Sequence, residues 1–320
     1  MKVLVTGASG FVGGAVWRRL HGMRDVQAVA CVRRAVEFAE VDALVASVGD
    51  LSASTDWSSA LAGVEVVVHA AARVHVMQDE AADSLQEFRR VNVQGTLQLA
   101  RQAAAAGVRR FVFISSIKVN GEATRPGCPF TADDVPAPLD AYGVSKMEAE
   151  QGLREMAAQT GMELVIIRPP LVYGPGVKAN FHAMMRWLAR GMPLPLGAIH
   201  NLRSLVALDN LVDLLVTCIH HPAAANQTFL VSDGEDLSTS QLLRRMGQAL
   251  GKPTRLIPVP PALLQLGAAL LGKPAVAQRL CGSLQVDISK TRQLLGWRPP
   301  VSVDAGLTKA AEGYWREASV

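Results

Sequence analysis

The chain has 320 residues, 49% hydrophobic and 19% charged, enough to bury a large core as one big domain or two, and this excludes a disordered chain. A formal charge of +4, scattered arginine pairs and only 5% aromatic residues argue against a nucleic-acid-binding surface. Four widely spaced cysteines without a CxxC pair, and no apolar run of about 18 residues, argue against a disulfide framework, a metal site or a membrane span, and point to the cytoplasm.

An apolar run at residues 3 to 6 predicts a first strand that leaves no room for a signal peptide. Gly7, Gly10 and Gly13 follow it at a spacing of three, ahead of the helical FVGGAVWRRL. Glycine lets an anion approach the backbone closely, and the free N–H groups at the start of a helix attract it. Strands are then expected at 26 to 32, 43 to 48, 64 to 70, 110 to 115 and 163 to 168, with helices at 84 to 107 and 141 to 161 between them. Repeated βα units of this kind predict an α/β fold, a doubly wound parallel sheet of the Rossmann type with helices on both faces.

Near the start of the helix expected from 141, Tyr142 and Lys146 stand four residues apart and share a helix face. A neighbouring ammonium favours the phenolate and moves a phenol toward useful acid–base range. Ser115 and Ser116 lie at a strand's carboxyl end, where doubly wound folds place their ligands. After RPP at 168 to 170 the elements become shorter and are broken by proline and glycine. We therefore expect a dinucleotide-binding Rossmann domain over 1–169, and over 170–320 a smaller mixed α/β substrate region with some segments returning to the Rossmann core. The apolar PALLQLGAALLG at 261 to 272 is too short to span a bilayer, and packing is the expected role ahead of peripheral attachment.

The glycine triplet, HAAA at 69 to 72, NVQGT at 92 to 96, Ser115-Ser116, the Tyr142/Lys146 pair, RPPLVYGPG at 168 to 176 and LLGWRPP at 294 to 300 occur in this order. Together they resemble the extended short-chain dehydrogenase/reductase family, and within it the nucleotide-sugar epimerases, dehydratases and ketoreductases. The resemblance implies that Tyr142 is the general acid/base, that Lys146 binds the nicotinamide ribose, and that Ser116 holds the reacting oxygen. It places cofactor contacts at Gly7, Gly10, Phe11, Val12, Gly13, Asp50, Leu51, Ala70, Ala71 and Pro169, besides Tyr142 and Lys146. It places substrate contacts at Ser116, Asn180, Arg203 and Arg279.

The 4,6-dehydratases of this family carry an Asp-Glu pair directly after the catalytic Ser or Thr. Here Ile117 and Lys118 stand there, which argues against water elimination. At the end of the second strand, Arg33 and Arg34 replace the usual acidic residue and match the 2′-phosphate of NADP, so NADP(H) is expected ahead of NAD(H). The chain resembles most the branch that forms UDP-N-acetylquinovosamine for surface polysaccharide (O-antigen, lipopolysaccharide) by NADPH-dependent 4-ketoreduction of a UDP-4-keto-6-deoxy-hexosamine. The alternatives are an NAD-dependent UDP-hexose or UDP-N-acetylhexosamine 4-epimerase and a non-catalytic nucleotide-sensing scaffold. Family analogy also implies a homodimer paired through the helices at 84 to 106 and 141 to 159.

Overall fold

The computed structural model describes residues 1–34, 43–74, 84–125, 127–272 and 274–318. It begins with β1 (Lys2–Thr6), α1 (Phe11–His21), β2 (Gln27–Val32), β3 (Leu44–Ser47), the short α2 (Ser58–Leu61) and β4 (Val66–His69). The helix expected from 84 to 107 is divided into α3 (Ser84–Phe88), a π-helical segment (Arg89–Gly95) and α4 (Thr96–Ala105). There follow β5 (Arg110–Ile114), a 3-10 turn (Ile117–Val119), α5 (Ala141–Thr160) and β6 (Glu163–Arg168).

Among the described residues, seven strands form one all-parallel sheet in the order β3-β2-β1-β4-β5-β6 and then β9 (Gln227–Leu230), which arrives from the second half of the chain. Alternate residues of the strands feed opposite cores. Val3, Val5, Val66, Val68, Val112 and Ile114 pack on one face. Leu4, Val67, Phe111, Phe113, Leu164 and Ile166 pack on the other. Burial on both faces is why these strands read as continuous apolar runs.

Beyond β6 come β7 (Leu171–Tyr173), α6 (Ala179–Ala189), β8 (Arg203–Ala207), α7 (Leu208–His220), β9, β10 (Asp236–Leu237) and α8 (Thr239–Ala249). The chain ends with α9 (Pro261–Leu270), α10 (Pro274–Cys281), α11 (Ser289–Leu295) and α12 (Val303–Ala318). A small mixed sheet, β10-β8-β7, carries a third core built on Tyr173, Phe181, Leu205, Leu243, Met246 and Leu307. The Tyr173 hydroxyl donates to Asp233 Oδ2 at 2.7 Å, and Asp233 Oδ1 accepts from Ala207 N and Asn210 Nδ2. This joins the small sheet to the start of α7.

The expectation that residues 261 to 272 pack inward is corrected. No residue of α9 is buried, and Leu263, Leu266, Leu270 and Leu271 are all exposed. The helix rests on α10 and only Leu264 reaches the third core, so most of its apolar surface meets no partner.

Candidate active site

The carboxyl ends of the parallel strands converge on one edge, and the candidate residues are arranged there. Gly7 adopts φ +67°, and a Cβ on it would lie 2.9 Å from Ala71 Cα. A Cβ on Gly13 would stand 2.3 Å from Gly7 O, so only glycine lets α1 start this close to the loop. Gly10 caps α1 without a side-chain hydrogen bond, and its own Cβ would meet only Gly7 O, at 3.1 Å. The first amides of α1 therefore face a cradle whose outer side is open, and such a cradle can hold a dinucleotide pyrophosphate. Phe11 and Val12 pack partly into the core behind it.

Thr6 and His69 brace this loop from below. The His69 ring is hydrogen-bonded through Nδ1 to Thr6 Oγ1 (2.7 Å) and through Nε2 to Thr96 Oγ1 (2.9 Å), and Ala71 N donates to the same Thr6 hydroxyl. Burial first, and the Lys146 charge second, push the imidazole down to about 3. It is a neutral bridge linking β1, β4 and α4. Ala70 and Ala71 leave the end of β4 beside it.

Ser116, Tyr142 and Lys146 come from two neighbouring elements. Ser116 starts the turn after β5, where its Oγ accepts from Lys118 N, while Ile117 N donates to Pro169 O at the end of β6. Tyr142 and Lys146 lie on the first turns of α5, whose start is fixed by Asp140 accepting from Gly143 N at 2.7 Å. Lys118, at a position where a dehydratase carries a carboxylate, is instead ion-paired to this same Asp140. Its ammonium thereby helps to set the helix that carries Tyr142.

The charge state of the pair differs from the sequence expectation. Lys146 Nζ donates to Ile114 O at 2.8 Å and lies 4.5 Å from the Phe113 ring centre. Burial pushes its ammonium down to about 7, against the opposing pull of Glu150. Tyr142 is raised above the ordinary phenol value, by burial first and the Asp140 carboxylate second. Desolvation thus outweighs any help that the phenol draws from the lysine.

Sequence reasoning missed the groups that hold this site. Glu150 is buried one turn beyond Lys146 and accepts from Ser115 Oγ (2.5 Å), Arg168 Nε (2.9 Å) and Arg168 Nη2 (2.6 Å). Arg168 also donates to Asn120 Oδ1. This buried pair ties α5, β5 and β6 together directly beneath Ser116 and Pro169. Asn92, on the π-helical segment, donates to Ser145 Oγ and to Arg73 O, and accepts from Arg73 N. NVQGT was its only sequence signal, and the widened turn is what brings its side chain to both partners.

The outer candidates are dispersed. Arg33 and Arg34 are exposed after β2, and Arg33 Nε lies 3.6 Å from the exposed carboxylate of Asp50. Leu51 packs against Gly95 of the π-helical segment. Asn180 is exposed on the first turn of α6, just after Ala179, whose φ of 55° is a left-handed backbone held by a non-glycine residue. Arg203, lowered by burial, donates through Nη1 to Arg279 O (2.7 Å) and Gly282 O at the end of α10. The Arg279 side chain itself is exposed.

Comparisons with known proteins agree with this geometry. Over 314 residues the chain is 51% identical to the UDP-glucose 4-epimerase of Vibrio cholerae, covering 98% of this chain and 95% of that protein. Its fold superposes with a TM-score of 0.79 on the UDP-glucuronic acid 4-epimerase from Bacillus cereus in complex with NAD, at 21% identity and 99% coverage of both chains. MoeE5 in complex with UDP-glucose and NAD superposes with a TM-score of 0.76 at 26% identity, covering 100% of both chains. Residues 3–232 match the model of the NAD dependent epimerase/dehydratase family, and the chain belongs to that family.

Proposed function

We propose that this protein is a UDP-sugar 4-epimerase working with a bound nicotinamide dinucleotide. The observation that carries the reading is the likeness to the Vibrio cholerae UDP-glucose 4-epimerase, which runs nearly end to end and includes the substrate half of the chain. In this reading Gly7, Gly10, Gly13, Ala70, Ala71 and Pro169 hold the dinucleotide along the strand ends, with Asp50 and Leu51 at its adenosine end. The bound nicotinamide supplies a reversible hydride acceptor for the sugar carbon.

The chain's own groups handle the proton. Ser116 holds the C4 oxygen, Tyr142 takes the C4 hydroxyl proton and later returns it, and Lys146 orients the nicotinamide ribose. With burial raising Tyr142, proton removal depends on the Lys146 cation, whose charge Glu150 supports. Asn180, Arg203 and Arg279 are the proposed contacts to the UDP-sugar. The protein works in the cytoplasm as a homodimer paired through α5 and the stretch from α3 through the π-helical segment to α4.

A second reading, NADPH-dependent 4-ketoreduction toward a UDP-N-acetylquinovosamine-type sugar for surface polysaccharide, is favoured by one observation. Arg33 and Arg34 stand exposed after β2, where a guanidinium fits a 2′-phosphate. Absorbance separates the two readings. An epimerase equilibrates UDP-glucose or UDP-N-acetylglucosamine with its 4-epimer at no net cost of cofactor, and Tyr142→Phe removes most of that turnover while cofactor still binds. If neither sugar is converted, yet a UDP-4-keto-6-deoxy-hexosamine oxidises one NADPH per sugar, the ketoreductase reading replaces the first.

A further inference from the structure

The patch left open by α9 calls for an occupant. Ile257, Leu263, Leu266, Leu270, Leu271 and Val276 are each 49% exposed or more, all within one stretch of twenty residues. Leu263, Leu266 and Leu270 follow helical spacing and form a single stripe along α9, with Ala262 and Ala269 exposed beside them. An exposed leucine stripe of this kind, rare on a soluble surface, marks an interaction site.

Charge around the patch indicates what it meets. Between Ser238 and Val286 the sequence holds six cations and no aspartate or glutamate. Arg244, Lys252 and Arg255 are exposed, and among the described residues no carboxylate lies within ion-pair distance of any of them. Lys252 only approaches the Trp315 ring, at 5.8 Å. Arg245, in the same stretch, is paired to Glu235 and Asp304, but a self-complementary pairing of two copies through this patch would bring the unpaired Arg244, Lys252 and Arg255 of each copy together. An anionic surface with an apolar layer beneath it satisfies both features at once.

We propose that α9 and its flanks dock on the surface of an anionic lipid bilayer, with the leucine stripe in the acyl boundary and Lys252 and Arg255 at the headgroups. A helix of this length covers about 15 Å, half of a bilayer's hydrocarbon core, so it lies in the interface and does not cross it. In agreement, no helix among the described residues is long and apolar enough to span a membrane. Gly272, with φ +66°, closes the turn that exposes Leu270 and Leu271 at the tip.

Flotation of the full chain with lipid vesicles tests this. The protein should rise with phosphatidylcholine vesicles containing phosphatidylglycerol, and at least about tenfold less with phosphatidylcholine alone, since each basic residue near an anionic leaflet adds roughly fivefold. The Leu263→Ser/Leu266→Ser/Leu270→Ser variant should lose at least about tenfold in binding, and Lys252→Gln/Arg255→Gln a similar factor. All five side chains are exposed, so both variants should keep the parent's circular dichroism and turnover. Wild-type protein that stays in the soluble fraction with the anionic vesicles, or a triple-serine variant that floats as well as wild type, overturns the proposal. A lower light-scattering mass for the triple variant, with no vesicle binding by the parent, assigns the patch to contact between copies instead.

Discussion

His69 has both ring nitrogens engaged, by Thr6 on one side and Thr96 on the other, and this fixes how the fold responds to acid. The unfolded chain protonates such an imidazole near 6.5, while the folded chain resists until about 3. Between those values the unfolded state holds more protons, so stability falls as pH drops through that window and is unaffected above it. Lys146 acts in the same sense at higher pH, with a folded value of about 7 against 10.5, so stability rises with pH between those two. We expect the urea midpoint of the wild type to fall between about pH 7 and about pH 4.5, and His69→Gln to remove part of that slope even if it lowers the midpoint overall. An unchanged slope in the variant would exclude His69 as the source.

At the scale of elements, the glycine loop and α1 divide their work between residues. Replacing Gly13 by alanine drives a Cβ into backbone atoms of Gly7 that cannot yield, so Gly13→Ala should cost about 1–3 kcal/mol of stability without any ligand present. At Gly10 the nearest atom would be Gly7 O at 3.1 Å, a milder clash, so Gly10→Ala should lower the melting temperature less than Gly13→Ala yet bind the dinucleotide more weakly. Equal melting temperatures for the two variants would refute this division. The six strands of the first half were legible because each is a short apolar run bounded by glycine or a charged helix. β8 was not, since RSLVA passes into LDNLVDLLVTCIH with no breaker, and one apolar run conceals a strand followed by a helix. The π-helical segment leaves no periodic signature, so the sequence read α3 and α4 as one helix. That Tyr142 and Lys146 share one helix was legible from their spacing of four, whereas the choice of Ser116 over Ser115 rested on the family resemblance. Glu150 with Arg168 and Lys118 with Asp140 were not legible, because only the tertiary fold brings those partners together.

For the whole molecule, the proposed dimer rests on α5 and the stretch from α3 to α4, where α4 and α5 lie side by side with Gly152 against Leu97 and Arg89 of the π-helical segment is ion-paired to Glu148. Light scattering at micromolar concentration should give twice the monomer mass of 34.1 kDa, and a mass of one chain would exclude the dimer. This measurement is independent of the α9 patch, so the triple-serine variant should give the same doubled mass.

The position of β9 bears on how the chain is made. Until residues 227 to 230 leave the ribosome, β6 presents its outer row of N–H and C=O groups with no strand beside it. A nascent chain that has formed its first six strands therefore carries an open parallel edge while residues 169 to 226 are still being added, and such an edge templates pairing with other chains. β9 then covers that row and leaves the shorter Gln227–Leu230 as the sheet's edge, so a fragment truncated before β9 would present the longer β6 edge permanently.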